Sequence, residues 1–389
     1  MKRPILIGVA AVLAVAAFGV FGIAPAAVEA GRNRVVATRL PHVTPQTRAL
    51  HASLAIADMH ADTLLWRRNL LDRANRGQVD LPRLQAGNVA LQVFSSVTKT
   101  PRHQNYDANG ADSDNITLLA IAQAQPPRTW GSLLQRSLWH AEKLERAAAA
   151  SGGALRVIRT PAELARLLAD RAAGRKVTGG LLSIEGLQDL EGNPANLNRL
   201  YAAGFRVAGF AHFFDNEAAG SMHGQAKGGL TPLGRQMLRR MEALGMVVDV
   251  AHASHAAVAD ILALARRPVV SSHGGVQATC KVNRNLTDAE IRGIARTGGV
   301  VGIGYWEAAV CSTSPEAMAA AIAHVRDLVG IDHVGLGSDF DGAVTTGFDA
   351  SQLVVVTQAL VDRGFSEQEI AKVMGGNVLR VLKAGMERG

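Results

Sequence analysis

Eight apolar runs, each followed by polar residues, restrict the possible folds of this chain more than any other feature. The first is Leu54-Ala-Ile-Ala-Asp-Met-His-Ala-Asp62, and the second, Asn88 to Val97, ends before a polar segment from Lys99 to Ser113. The others are Gly180 to Ile184 ending at Glu185, Phe205 to Ala211 at His212, Met246 to Ala251 at His252, Pro268 to Ser272 at His273, Gly299 to Gly304 at Tyr305, and His333 to Ser338 at Asp339. From Val177 onward a helical pattern follows each run, so strands and helices alternate. Alternation predicts a parallel sheet, and eight units predict that it closes. The expected fold is α/β, a (β/α)8 TIM-type barrel with extra C-terminal helices over 351–363 and 366–383. Such barrels carry their chemistry on loops at the C-terminal ends of the strands, where the polar residues just named fall.

With 389 residues, 48% of them hydrophobic and 19% charged, the chain can bury a large core. Ahead of the barrel, Met1-Lys2-Arg3 precedes a nearly unbroken apolar run from Pro4 to Val28, with small residues at Ala24, Ala26, Val28 and Ala30. This pattern describes a secretory signal, and the run is also long enough to span a bilayer as an uncleaved anchor. In both cases the basic start stays inside and the remainder is exported, to the periplasm or the outer face of the membrane. The expected organisation is therefore a signal peptide or anchor over 1–30, a polar tether over 31–50 and a barrel domain over 51–389.

The net charge of +8 raises the question of nucleic acid. The basic residues are scattered and aromatic residues make up only 4%, which leaves no stacking platform. No nucleic-acid partner is expected, and a membrane enters only through the N-terminal segment. In an exported chain the two cysteines, Cys280 and Cys311, are expected to form a disulfide. The glycine-rich stretch Phe213 to Gly229 reads as a mobile loop covering the catalytic face. Within it His223 reads as solvated, while His255 reads as opening a helix.

Each strand-end residue has a structural alternative when taken alone: Glu185 could cap a helix, His252 and His273 could be core histidines, and Asp339 could start a turn. Together, His60, Asp62, Glu185, His252, His273 and Asp339 converge on one rim. Nitrogen and carboxylate ligands in that combination suit zinc or a similar ion. Five of them as ligands, His60, Asp62, Glu185, His252 and His273, exceed the need of one tetrahedral ion, so two ions bridged by a carboxylate are the expected count.

His60-Ala-Asp62, Ser183-Ile-Glu185-Gly186, Asp249-Val-Ala-His252, Ser272-His273, Asn283-Arg284-Asn285-Leu286 and Gly337-Ser-Asp339-Phe-Asp-Gly342 resemble, in order, the signature segments of the membrane dipeptidases. These are renal-dipeptidase-like zinc peptidases of the metal-dependent amidohydrolase group. The resemblance runs from about residue 50 to the C-terminus. It implies two zinc ions per chain, one held by His60 and Asp62 and the other by His252 and His273, with Glu185 bridging both. It further implies that a water between the ions attacks the single peptide bond of a dipeptide, with Asp339 as general base and then acid. By the same resemblance His212 binds substrate and stabilises the oxyanion, and Arg284 takes the free carboxylate. Cys280 and Cys311 fall where family members carry a disulfide. The family's tyrosine in the segment Tyr305 to Val310 is replaced by Ala308 or displaced to Tyr305, the candidate for a further substrate contact. Asp341 reads as a turn residue. Family members are often dimers, which makes a homodimer one option, although the sequence itself does not give the oligomeric state. The competing readings are another amidohydrolase-type enzyme, acting on a lactone, N-acyl amino acid or cyclic amide, and a membrane-tethered binding protein without catalysis.

Overall fold

A strand buried on both faces needs apolar side chains at nearly every position, and the runs read from the sequence meet that requirement. In the computed structural model, which describes residues 2–387, they become β2 (Ile56–Ala61), β3 (Val89–Ser96), β5 (Thr178–Glu185), β6 (Phe205–Gly209), β7 (Val247–Asp249), β8 (Val269–Ser271), β9 (Val300–Ile303) and β10 (Val334–Leu336). Every residue in these eight strands is buried. Neighbours pair in parallel in the order β3-β2-β10-β9-β8-β7-β6-β5, and pairing of β3 with β5 closes the ring, with Leu91 opposite Gly179 and Ser96 opposite Ile184. The (β/α)8 barrel is therefore observed.

One further strand, β4 (Leu155–Val157), lies outside the ring, paired with the first half of β5; β6 takes over that edge from Leu182. It has only three residues, too few for any periodicity to register. Two residues of the presumed tether, Arg34–Val35 (β1), pair in parallel with Thr345–Thr346 (β11), so this part of the chain is fixed to the barrel. The tether ends in a helix, Pro45–Ser53, capped by the Thr44 side chain.

Two layers of core follow from the closed sheet. Inside the barrel Ala57, Met59, Leu91, Val93, Leu181, Val207, Val247, Val270 and Val300 meet, and Val378, Val381 and Leu382 of the last helix, Asn377–Met386, pack against them. Gly375, just before that helix, is so close to the start of β2 that a Cβ there would stand 2.0 Å from the Ala55 carbonyl oxygen. The last helix thus plugs the end of the barrel opposite the strand-end polar residues. Outside the ring, helices such as Pro161–Ala172 and Asp288–Arg296 begin with capping boxes at Thr160 and Thr287 and cover the strands.

At the edge of this core, His51 is buried between the Thr357 hydroxyl (2.8 Å) and the Gly87 carbonyl (3.2 Å). Burial lowers its pKa from 6.5 to about 4, although the Gly87 contact works the other way. Between those values the unfolded chain binds a proton that the folded chain does not. Stability held above pH 6.5 is therefore lost as pH falls through 4, by up to about 3 kcal/mol. Thermal unfolding of His51→Gln between pH 4 and 7 should show a shallower acid loss than wild type; parallel curves would exclude His51 as a source.

From Lys2 to Arg32 the chain is one helical rod with a π turn at Phe18–Ile23. Its segment from Ile7 to Arg32 is long and apolar enough to cross a membrane. The loop Phe213 to Gly229 does cover the catalytic face, but it is pinned rather than loose. Asp215 accepts from the backbone N–H groups of Ser221 (2.8 Å) and Ala226 (2.7 Å), and Ser221 bridges to Ala253. Gly224 is obligatory here, because a Cβ would overlap the Asp215 carboxylate at 2.0 Å.

Candidate active site

The C-terminal ends of six different strands deliver the polar residues to one point. A register shift in the β2 pairing falls between Asp58 and Ala61, at the position of His60, as irregular pairing commonly does where a side chain must be re-aimed. His252 and Asp339 follow β7 and β10 in the left-handed region, with φ of 64° and 58°. That conformation is unfavourable for either residue and is held by the surrounding packing.

Glu185 is the hub. Its Oε1 lies 3.1 Å from His252 Nε2, 3.5 Å from His60 Nε2, 3.5 Å from His273 Nε2 and 3.6 Å from His212 Nε2. His60 Nε2 is also 3.4 Å from Asp62 Oδ1 and 3.9 Å from Asp339 Oδ1, while the Nε2 atoms of His252 and His273 stand 2.9 Å apart. Three overlapping sets have ligand atoms close enough to share an ion: His60, Glu185 and His273; Glu185, His212 and His252; and His60, Asp62 and Asp339. The structure brings all five sequence-predicted ligands together, with His212 and Asp339 beside them.

Among the described residues, His60 Nε2, Asp62 Oδ1, Glu185 Oε2 and His252 Nδ1 are buried without a hydrogen-bond partner. Buried polar atoms rarely remain unpaired, and three of these in one cluster, His60 Nε2, Asp62 Oδ1 and Glu185 Oε2, fit a divalent cation, whereas His252 faces the cluster with its other ring nitrogen. The electrostatics agree. Burial holds His252 and His273 well below the ordinary histidine range, so their lone pairs are free. Burial alone would also lower His60, but Glu185 and Asp62 raise it well above that range. A proton on His60 thus offsets the surplus of negative charge that a cation would otherwise neutralise.

A second layer fixes these ligands. Asp58 accepts from the His60 N–H (3.0 Å), Gln92 (3.0 Å) and the Ser338 hydroxyl (3.0 Å). Asp249 accepts from the N–H groups of Ala251 and Ser272, both at 2.9 Å, and the Ser272 hydroxyl lies 2.9 Å from His273 Nδ1. Orienting partners of this kind set which ring nitrogen faces the ion. Asp58 escaped sequence reading, although an aspartate inside an otherwise apolar strand two residues before His60 was the available signal.

The cluster opens into a cavity of about 480 Å³. Arg284 is 2% exposed at its wall, donates to the His273 carbonyl at 2.8 Å and lies 6.0 Å from the Trp306 ring. Among the described residues no carboxylate forms an ion pair with its guanidinium. Tyr305 corrects the expectation for that segment. Its ring is wholly buried against Phe340 and Phe348, and it does not line the cavity. Trp306 lines it instead, joined by Tyr106 from the polar loop after β3, whose hydroxyl accepts from Trp306 Nε1 at 3.3 Å.

Two other expectations are also corrected. His223 is not solvated: it is fully buried and stacked on Phe213 at 4.5 Å, with Nδ1 2.9 Å from the Tyr106 carbonyl. Asp341 is more than a turn residue, since its buried carboxylate accepts from Thr63 (2.8 Å), the Gln78 N–H (2.7 Å) and Arg68. His255 does open a helix, as expected, and pairs with Glu290 at 2.6 Å. Cys280 and Cys311 form the expected disulfide, tying the Arg284 loop to the segment after Trp306.

A closed (β/α)8 barrel whose strand ends gather histidines, aspartates and a central glutamate around a substrate-sized cavity defines a metal-dependent hydrolase. The chain belongs to the membrane dipeptidase family: residues 44–387 match the family described as Membrane dipeptidase (peptidase family M19). Dipeptidase aclJ of Aspergillus oryzae is 30% identical over 363 residues, covering 88% of this chain and 80% of its own length. Dipeptidase tcpJ of Claviceps purpurea is 30% identical over 79% of this chain and 69% of its own. Among solved structures, the probable dipeptidase PvdM from Pseudomonas aeruginosa aligns with a TM-score of 0.75 at 22% identity, over 88% of this chain and 98% of that one. A metallopeptidase from Rhodobacter sphaeroides, liganded with a phosphinate mimic of the dipeptide L-Ala-D-Ala, aligns with a TM-score of 0.65 at 24% identity, over 85% and 99%.

Proposed function

We propose that this family member is an exported dipeptidase using two zinc ions, and that it cleaves the peptide bond of dipeptides bearing a free carboxylate. His60 and Asp62 would hold one ion, His252 and His273 the other, and Glu185 both. Bound there, the ions would polarise the scissile carbonyl and lower the pKa of water to near neutrality. The remaining work falls to the chain's own groups. Asp339, facing the cavity 3.9 Å from His60, takes a proton from the attacking water and returns it to the leaving amine. His212 Nε2 reaches the same point as the ligands, while its Nδ1 faces the Lys99 carbonyl at 3.4 Å. Burial lowers the His212 pKa, so the ring donates to the oxyanion as the neutral tautomer with its proton on Nε2, giving up the long Lys99 contact. Burial of Asp339 and the ligands keeps bulk water away from both transfers.

The observation that carries the substrate assignment is Arg284, a buried guanidinium with no carboxylate ion-pair partner among the described residues, on the cavity wall beside His252 and His273. A charge held in that state lacks an anionic partner that a substrate carboxylate supplies bidentately. Removing one partner of such a buried pair costs on the order of 10²-fold in affinity or more. The expected result is that the zinc-loaded enzyme hydrolyses a dipeptide with a KM roughly 10²-fold below that for its C-terminal amide, and that Arg284→Ala erases the difference. Zinc-loaded protein that leaves dipeptides intact refutes the reading. A dipeptide-to-amide ratio unchanged in Arg284→Ala removes the arginine from substrate binding.

A further inference from the structure

A leader that is removed after export has no reason to pack specifically against the mature domain. The last turns of the N-terminal helix, Ala24–Arg32, do pack in this way. Glu29 is 1% exposed, and its two carboxylate oxygens pair separately, one with Arg68 and the other with Arg76 at 2.8 Å. Arg68 is itself buried and also pairs with Asp341, whose neighbour two residues before is Asp339. Burial alone would lower Arg68, but Asp341 and Glu29 raise it, so the guanidinium stays charged and depends on both acids. Immediately beyond the helix, Asn33 Oδ1 accepts from the Ala343 N–H at 2.9 Å, and β1 pairs with β11. The end of the rod is thus tied to the segment that follows the proposed base.

The docked turns also face substrate space. Ala24, Pro25, Val28 and Arg32 line the same cavity as Asp62, Glu185 and Arg284. The helix meets the short helix Ile116–Ala122, and a separate apolar cluster of Leu65, Trp66, Val97 and Ile116, the first residue of that short helix, lines the same cavity. This cluster begins three residues after the ligand Asp62, whereas Arg284 lies on the His252 and His273 side. A substrate whose carboxylate rests on Arg284 therefore points its other residue towards an apolar chamber roofed by the helix.

We infer that residues 24–32 are retained in the working enzyme as the outer wall of its substrate cavity, and that this wall favours dipeptides with a long apolar side chain on the residue remote from the carboxylate. The selectivity half rests on the dipeptidase reading; retention of the helix does not. Upstream of the wall, the large apolar side chains Ile7, Val9, Val12, Leu13, Val15 and Phe18 are exposed. The retained rod is thus a membrane anchor, and it holds the cavity mouth at the bilayer surface.

The test uses the full chain with a C-terminal affinity tag, expressed in a Gram-negative host. The intact mass is expected to include residues 24–32, in protein that leaves the membrane fraction only with detergent. A mature chain starting after Ala24, Ala26 or Ala30 overturns retention. On zinc-loaded protein, kcat/KM is compared for Leu-Ala and Gly-Ala. Val28→Asp, which puts a charge in the chamber, is expected to lower the Leu-Ala to Gly-Ala ratio roughly tenfold or more. Glu29→Gln, which loosens the wall without entering the cavity, should shift the ratio in the same direction, and Glu29→Asp should partly restore it. Ratios unchanged in both Val28→Asp and Glu29→Gln overturn the selectivity. If no dipeptide is hydrolysed at all, the dipeptidase reading fails while the mass still decides whether the helix stays.

Discussion

Glu185→Gln is expected to lose zinc from both positions and to lower kcat/KM for dipeptides by about 10⁴-fold, with the barrel intact. Four histidine Nε2 atoms lie within 3.6 Å of one Glu185 oxygen, which places its carboxylate at the centre of the cluster. A neutral amide keeps the shape but supplies one weak oxygen ligand where two cations need a shared anion. The apo protein allows a separate check. Burial alone would raise the Glu185 pKa, but His212 and His60 pull it well below the ordinary carboxylate range, so without metal it is a buried anion resting on histidines. Removing such a charge relieves desolvation as well as breaking pairs, and so need not weaken the fold. The metal-free variant should therefore unfold within a few degrees of metal-free wild type. Metal analysis showing two zinc ions per chain in the variant would displace Glu185 from the bridge.

Much of this centre was legible because the barrel imposes a simple rule. Strands buried on both faces read as apolar runs, and the residue that breaks each run at its C-terminal end is delivered to the rim. His60, Glu185, His252, His273 and Asp339 all followed that rule. The errors came where position depends on which way one side chain turns, or on partners remote in sequence. Tyr305 and Trp306 are adjacent, so backbone direction alone decides which enters the cavity, and Tyr305 turns into the aromatic pair Phe340 and Phe348. Tyr106 sits in a polar loop without periodicity, and it reaches the site through contacts with Trp306 and His223, 200 and 117 residues away. His223 read as solvated and Asp341 as a turn residue because their partners are remote in sequence; Phe213 covers the first, and Arg68 with Gln78 enclose the second. The N-terminal rod read as a secretory signal or an anchor by composition, and its ties to the barrel, such as Glu29 to Arg68 and Arg76, 39 and 47 residues on, have no local signal in the sequence.

Asp339→Asn is expected to retain zinc and KM within a few-fold while kcat falls 10²- to 10⁴-fold, roughly the share of a positioned general base and acid. The substitution is isosteric and removes only the ability to take and return a proton. Asp339 lies 3.9 Å from His60 Nε2, farther than Asp62 at 3.4 Å and Glu185 at 3.5 Å, yet within reach of an ion shared with His60 and Asp62, so zinc retention in the variant is what separates base from ligand. Burial, and then Asp62 and Glu185, raise the Asp339 pKa well above the ordinary carboxylate range, while His60 and Arg284 lower it. Bound cations would pull the same group down towards a working base. A companion variant separates chemistry from placement. A Cβ on Gly342 would stand 2.1 Å from Asp339 Oδ1 and 2.9 Å from Asp62 Oδ2, so Gly342→Ala must displace a ligand and the base together. It should lose zinc as well as rate. If Asp339→Asn also lost zinc in proportion to rate, Asp339 would be a third carboxylate ligand beside His60 and Asp62, and the proton carrier would have to be sought elsewhere in the cavity.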